Sequence, residues 1–165
     1  PGAVAAGASQ GETLIAVDRD AGGVDRSLLL RSFLARRDTR AWVTPARDGF
    51  ALRRAGRRAA QIGPIVARRD GDALGLLGAA LAGVAGRVFI DVPVRRTALA
   101  EALTRRGFVR QRAFVRMALG DADTDTRLQE LLADVTADES TAAEDRHQAV
   151  RLSYMGAAFA LATAH

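Results

Sequence analysis

The sequence predicts an α/β (α+β) fold, with one mixed, mostly antiparallel sheet and helices on both of its faces. Hydrophobic residues make up 48% of the chain but aromatic residues only 5%, so the core must consist mainly of Ala, Val, Leu and Ile. Three β-like runs follow one another closely, and a strand–helix–strand order comes after them. A length of 165 residues fits a single domain with one core.

The N-terminal part predicts a flexible segment, a strand and a helix. Residues 1–12 are mostly small and polar, which is typical of a flexible chain end. Residues 13–17 are expected to form a short strand. A helix should begin at residues 24–27 and continue to about residue 37, because apolar side chains recur there at helical spacing.

The middle of the chain predicts an antiparallel meander followed by a parallel crossover. The three β-like runs are residues 40–43, 49–53 and 59–66. Asp70–Leu81 has leucines at helical spacing, and residues 87–92 are almost continuously apolar, as in a strand buried on both faces. Strand, helix and strand in this order predict a parallel pair of strands.

The C-terminal third predicts a second helix, the last strands and an extension. Residues 97–105 should form a helix that ends with Gly107 in the C′ position, and residues 108–119 should supply strands. The chain then becomes acidic and rich in Thr, with amphipathic helical pieces expected at residues 126–135 and 144–151.

The expected organisation has three parts: residues 1–12, 13–120 and 121–165. The first is flexible, the second is the domain, and the third adds helical and strand pieces that pack on that domain. No leader of charged and then apolar residues is recognised, and the most apolar C-terminal segment is too short to cross a bilayer. We therefore expect a cytoplasmic protein without a membrane partner.

Composition excludes several kinds of chemistry. All 24 basic side chains are Arg, so no lysine general base or Schiff base exists. The chain has no Cys and only two His, which excludes thiolate nucleophiles and argues against a metal site. The net charge of +5 suits an anionic ligand, but the Arg pairs lack interleaved aromatic residues that could stack on bases. We expect no nucleic-acid partner.

Five short runs resemble, in order and spacing, the cofactor half of a GNAT-type N-acetyltransferase: residues 61–67, 68–73, 89–93, 106–108 and 114–117. The chain is most similar to the divergent C-terminal domain of two-domain GNAT proteins. The resemblance implies an acyltransferase that uses acetyl-CoA as co-substrate. It also implies that a small-molecule or peptide amine attacks the thioester directly in a ternary complex.

The resemblance places the cofactor site around the turn after the third β-like run. Three residues match the family's pyrophosphate pattern: Arg68, Gly71 and Ala73. Backbone N–H groups at the start of a helix bind such an anion. The pantetheine arm would be held by backbone groups of Ile65, Val66 and Ala67. The alternative is a simple connection in which Asp70 or Asp72 caps the helix.

Two departures from the family's layout weaken the prediction of catalysis. Active members commonly carry a Tyr that protonates the departing thiolate, and the matching position here is Leu103; the family's frequent Asn is Arg96. Tyr154, the single Tyr, lies in the C-terminal part. In addition, Asp70 and Asp72 bring negative charge to the expected pyrophosphate site. The alternative function is therefore a non-catalytic GNAT-like module for binding or homodimer formation, as the C-terminal half of a larger acetyltransferase.

Two further residues bear on the site. Asp91 interrupts an apolar strand and could act as general base or anchor for the amine, because burial disfavours the charged form of a carboxylate. The alternative is that it accepts hydrogen bonds from the following turn. Pro64 lacks an N–H group, so it predicts either a strand that bulges or splays from its neighbour or an edge strand with a bulge.

Overall fold

The computed structural model describes residues 2–22, 25–94, 96–115 and 148–154, which form one seven-stranded sheet flanked by helices. The strands are β1 (Val4–Ala5), β2 (Arg40–Val43), β3 (Phe50–Arg54), β4 (Ala60–Val66), β5 (Val88–Pro93), β6 (Val109–Val115) and β7 (Gln148–Tyr154). The α-helices are α1 (Gly11–Gly22), α2 (Ser27–Leu34), α3 (Asp70–Leu81) and α4 (Thr97–Arg105). A 3-10 turn at Ala8–Gln10 leads into α1.

The strands lie in the order β1-β2-β3-β4-β5-β7-β6. In this sheet β4 and β5 run parallel, and every other pair of neighbours is antiparallel. The predicted meander is confirmed as β2–β3–β4, and the predicted crossover as β4–α3–β5. The fold class is therefore the mixed, mostly antiparallel α/β arrangement that the sequence predicted.

Each face of the sheet has its own apolar core, so the sheet divides the single core that the chain length predicted into two. On one face, α3 and α4 cover β4 and β5, with Leu77 and Leu103 against Ile90. On the other face, α1 and α2 cover β2 and β3, with Leu14 against Phe50. Because side chains alternate along a strand, neighbouring residues of β2 belong to different cores.

β5 is buried on one face only, so the prediction of burial on both faces was wrong. Val88, Ile90 and Val92 are buried under α3 and α4, whereas Asp91 and Pro93 are exposed. The period of two in this burial pattern is typical of a strand with one buried and one more exposed face.

Residues 13–17 belong to α1, so the predicted strand there was also wrong. The buried side chains of α1 are Leu14, Ile15 and Asp18, which is the i, i+1, i+4 spacing of a helical face. Five residues are too few to distinguish this spacing from a strand pattern. The first strand lies earlier, at Val4–Ala5, within the segment that was expected to be flexible, and it pairs with β2.

The C-terminal part also differs from the prediction, because Gln148–Tyr154 is a strand where residues 144–151 were predicted to be helical. β7 lies between β5 and β6 and pairs with both. The helical piece expected at residues 126–135 lies outside the described residues. The end of α4 is as predicted: Gly107 has φ 81°, and Phe108 N–H donates to Leu103 C=O at 3.0 Å, which is a Schellman motif.

Candidate functional site

β4 and β5 part half-way along their length. They pair only at Ala60–Ile62 of β4, and the last pair is Ile62 opposite Ile90. Beyond it, β4 follows β3, with Val66 opposite Phe50, while β5 follows β7. The backbone of residues 63–66 therefore no longer pairs with β5. We call the place where the two parallel strands part the cleft.

The sequence Gly63-Pro64 lies at the point where the strands part. Gly63 has φ 141°, a conformation that L side chains rarely adopt. The β3–β4 register shifts between Ala51 and Arg53, opposite this dipeptide, so the ladder does not require a donor from Pro64. The splayed strand is confirmed, and a bulge accompanies it. The edge-strand alternative is wrong, because β4 lies between β3 and β5.

The helix that follows the cleft has an open N-terminus. Ala73 N–H donates to Arg69 C=O at 3.0 Å as the first bond of the helix, so the N–H groups of residues 70–72 precede the α-helical ladder. The N-cap residue is Arg69, whose side chain makes no capping hydrogen bond, and Asp70 and Asp72 lie within the first turn, so neither carboxylate occupies the N-cap position. A Cβ atom at Gly71 would meet no atom within 4 Å. The turn is therefore accessible to an anion.

The carboxylates of the first turn are paired with arginines. Arg96 Nη1 donates to Asp70 Oδ1 at 3.0 Å, and Arg69 Nη1 lies 3.8 Å from Asp72 Oδ2. Arg68 and its neighbours up to Gly71 are exposed. The paired guanidinium groups offset the negative charge that was expected to repel a diphosphate, and the turn is not sealed from solvent.

The β2–β3 turn packs beside this site. A Cβ atom at Gly49 would lie 2.7 Å from Val66 C=O, so the turn approaches the end of β4 closely. The buried Thr44 hydroxyl donates to Asp48 Oδ1 at 2.7 Å and accepts from the N–H groups of Asp48 and Gly49, each at 3.1 Å. The hydrogen bond from Thr44 lowers the pKa of Asp48, and the nearby positive charges of Arg68 and Arg69 lower it further.

Replacing Thr44 by Val is expected to destabilise the protein by about 1–2 kcal/mol at neutral pH, because two backbone N–H groups lose their acceptor. It should also raise the pKa of Asp48 towards its ordinary value. A lowered folded-state pKa stabilises the protein above the unfolded-state pKa of about 3.9, and this contribution is lost as the pH falls through the folded-state pKa. The difference between wild type and variant should therefore shrink in acid. Urea unfolding at pH 7 and pH 3, with an NMR titration of Asp48, measures both effects; a difference that is unchanged between the two pH values would contradict them.

The other candidate residues lie apart from this turn. Asp91 is exposed on the face of β5 opposite to α3 and α4, so the burial on which its role as a base depended is absent. Leu103 is 0% exposed in the core under α4 and presents no polar group to the cleft. Tyr154 pairs with Val88, three residues from Asp91 along β5, or about 10 Å. The backbone of Tyr154 is therefore at the far end of the strand from the cleft.

The two adjacent arginines Arg53 and Arg54 both make contacts within the fold. Arg53 donates to the C=O groups of Ala80 and Ala82, each at 2.9 Å, and thus satisfies the C-terminal end of α3. Arg54 lies 3.7 Å from the centre of the Phe33 ring. These cations connect the sheet to the helices on its two faces.

Residues 14–133 match the acetyltransferase (GNAT) domain family. The chain therefore belongs to the GNAT acetyltransferases, a family that uses acetyl-CoA as co-substrate. A comparison with curated proteins finds no match. In the part of the chain that the structure describes, no helix is long and apolar enough to cross a membrane, and no three His, Asp or Glu side chains are grouped to hold a metal.

Solved structures of GNAT proteins have a similar fold. A GNAT acetyltransferase from Bacillus cereus is 14% identical, with a TM-score of 0.60 over 93% of this chain and 95% of that one. Arabidopsis thaliana NAA60, solved in complex with acetyl-CoA, is 12% identical, with a TM-score of 0.58 over 93% and 97%. A GNAT acetyltransferase from Streptococcus pneumoniae is 14% identical, with a TM-score of 0.55 over 93% and 98%. At these identities the likeness shows the fold.

The sequence predicts the β4–α3 turn as the cofactor site, but it does not predict two contacts that the structure places beside this turn. The close approach of Gly49 to Val66 and the bond from Arg96 to Asp70 join segments that are far apart in the chain. Arg96 had been noted only as a departure from the family's Asn. Neither contact has a local signal, because the partner of each group is chosen by the packing of the sheet.

Proposed function

We propose that this protein transfers the acetyl group of acetyl-CoA to the nitrogen of a small-molecule or peptide amine by direct attack in a ternary complex. The observation that carries the proposal is the cleft between β4 and β5, which leads to the open N-terminus of α3. The backbone N–H groups of the first turn of α3 are not used by the helix itself. Together with the positive end of the helix dipole, they suit a diphosphate.

The residues around the turn fit the cofactor. A diphosphate would be bound by Arg68 and by the N–H groups of the first turn, where Gly71 leaves space for its oxygens. The N–H group of Ala73 already donates to Arg69 C=O, so it is not a donor for the diphosphate. Ala73 therefore contributes only its small side chain. The unpaired side of β4 would hold the pantetheine arm through backbone groups of Ile65, Val66 and Ala67 and would polarise the thioester carbonyl.

The reaction requires little from side chains. Acetyl-CoA, when bound, supplies an activated acetyl group; a C–N bond forms as the C–S bond breaks. Leu103 cannot protonate the thiolate, so the proton must come from solvent or from the acceptor nitrogen. Because Asp91 is exposed, it suits the role of an anchor for a cationic amine better than that of a buried base. A cytoplasmic location, a homodimer and a place as the C-terminal half of a larger acetyltransferase stay predictions.

Acetyl-CoA is expected to stabilise the protein against heat. A ligand that binds only the folded state at a hundred times its Kd contributes about 2.7 kcal/mol. A thermal-shift series up to millimolar acetyl-CoA, followed by calorimetry, measures binding, and release of free CoA thiol in the presence of an amine panel measures transfer. Absence of stabilisation at millimolar ligand would contradict the proposal. Binding without thiol release would favour the non-catalytic module, to which the hydrocarbon at Leu103 already points.

A further inference from the structure

An ion pair joins the N-terminal ends of α3 and α4. Arg96 is the N-cap residue of α4, and its Nη1 donates to Oδ1 of Asp70, the first residue of α3, at 3.0 Å. The Arg96 side chain is 24% exposed and that of Asp70 is 47% exposed. The pair is thus half-buried and accessible from the solvent side.

This ion pair lies at the open end of the cleft. β4 and β5 are parallel, so their C-terminal ends lie at the same edge of the sheet. α3 follows β4 and α4 follows β5, and both helices pack on the same face. The bond from Arg96 to Asp70 therefore connects the two sides of the cleft at the edge where the strands part.

The two groups have opposite effects on an anionic ligand. Asp70 places a carboxylate at the open helix N-terminus, where it competes with a diphosphate for the same positive field. Arg96 holds a permanent positive charge there, and the bond to Asp70 uses one of the five N–H donors of its guanidinium group. A guanidinium group binds phosphate oxygens at least as well as a carboxylate, often through two bonds.

We propose that Arg96 is a donor-binding residue that Asp70 holds at the cleft, and that its guanidinium group exchanges the Asp70 carboxylate for the diphosphate of the donor. The inference rests on the proposed function. In this arrangement Asp70 lowers the affinity for the donor by competing for Arg96, so the ion pair sets how tightly the donor binds. Arg96 thereby takes a binding role at the position where the family frequently has Asn.

The test compares the Kd of CoA, by calorimetry, for wild type, Arg96→Gln, Asp70→Asn and the double variant. Arg96→Gln should weaken binding about tenfold, since a charge-assisted bond to phosphate is lost. Asp70→Asn should tighten binding about threefold, because the competitor is removed. In the Arg96→Gln background, Asp70→Asn should tighten binding less than it does in wild type, because only the competition for the helix N-terminus is then removed.

The matched control is Arg105→Gln. Arg105 lies at the other end of α4, where its Nη1 is 3.6 Å from Glu101 in an exposed pair. This substitution removes the same charge from the same helix, and it should leave the Kd of CoA unchanged. Pantetheine, which lacks the diphosphate, should bind all variants alike.

Three outcomes would overturn the inference. If both single variants change the Kd in the same direction, the pair only supports the fold. If Asp70→Asn tightens binding equally in the Arg96→Gln background, the effect is general electrostatics. If pantetheine is weakened as much as CoA, Arg96 does not contact the diphosphate. Failure of wild type to bind CoA at all would instead refute the proposed function, so the two failures are distinguishable.

Discussion

Replacing Gly71 by Leu is expected to leave the protein folded and to weaken acetyl-CoA binding about a hundredfold. A Cβ atom at Gly71 meets no protein atom within 4 Å, so the fold has room for the side chain. Leu is also the better helix former. In the proposed cofactor complex, phosphate oxygens come within about 3 Å of the N–H groups in this same space, and the leucine side chain would occupy it. Calorimetric titration with acetyl-CoA and urea unfolding measure the two effects.

The matched control for this site is Gly78, in the same helix two turns further on, where a Cβ atom would also meet nothing within 4 Å. Gly71→Ala and Gly78→Ala should both raise the free energy of unfolding, by up to about 1 kcal/mol. Only the first should reduce affinity for the donor. Equal affinities for the two alanine variants, with full binding by Gly71→Leu, would show that the α3 N-terminus does not bind the diphosphate.

Replacing Arg26 by Met is expected to lower the free energy of unfolding by about 3 kcal/mol, because it leaves a buried carboxylate without its partner. The Asp18 side chain is 1% exposed and accepts from both Nε, at 3.0 Å, and Nη2 of Arg26. We take the lower end of the usual range because the Arg26 side chain is 36% exposed. Urea unfolding at pH 7 gives the loss, and the double variant Asp18→Leu/Arg26→Met should recover most of it.

A second ion pair, which joins α1 to α2, is the control. Arg31 donates to both carboxylate oxygens of Glu12, but both side chains are exposed. Arg31→Met should therefore cost less than about 1 kcal/mol. If the two arginine variants lose equal stability, burial of Asp18 does not determine the contribution of its ion pair.

Much of the fold could be predicted because its signals are local. The runs that form β2, β3 and β4 are bounded by turn residues, and the C-terminal end of α4 depends on one glycine that adopts positive φ. The local geometry of the candidate site also has local signals. Gly63-Pro64 marks the place where β4 leaves β5, and the start of α3 follows within a few residues.

The failures occurred where local patterns were short or where distant segments chose the structure. Residues 13–17 fit both a strand and a helix, and the packing of Leu14 against β3 selects the helix. Gln148–Arg151 was predicted to be helical, yet the gap between β5 and β6 gives its backbone partners on both sides. Cross-strand hydrogen bonds of this kind override a weak helical preference.

The sequence by itself thus determined the turn after β4 and the family resemblance. Its composition excluded the chemistry of Lys and Cys. Three features depended on tertiary structure: the pairing of Arg96 with Asp70, the exposure of Asp91 and the burial of Leu103. The physical reason is the range of the forces involved. Backbone conformation and helix initiation depend on residues within about one turn, whereas ion pairs and burial depend on which surfaces the completed sheet brings together.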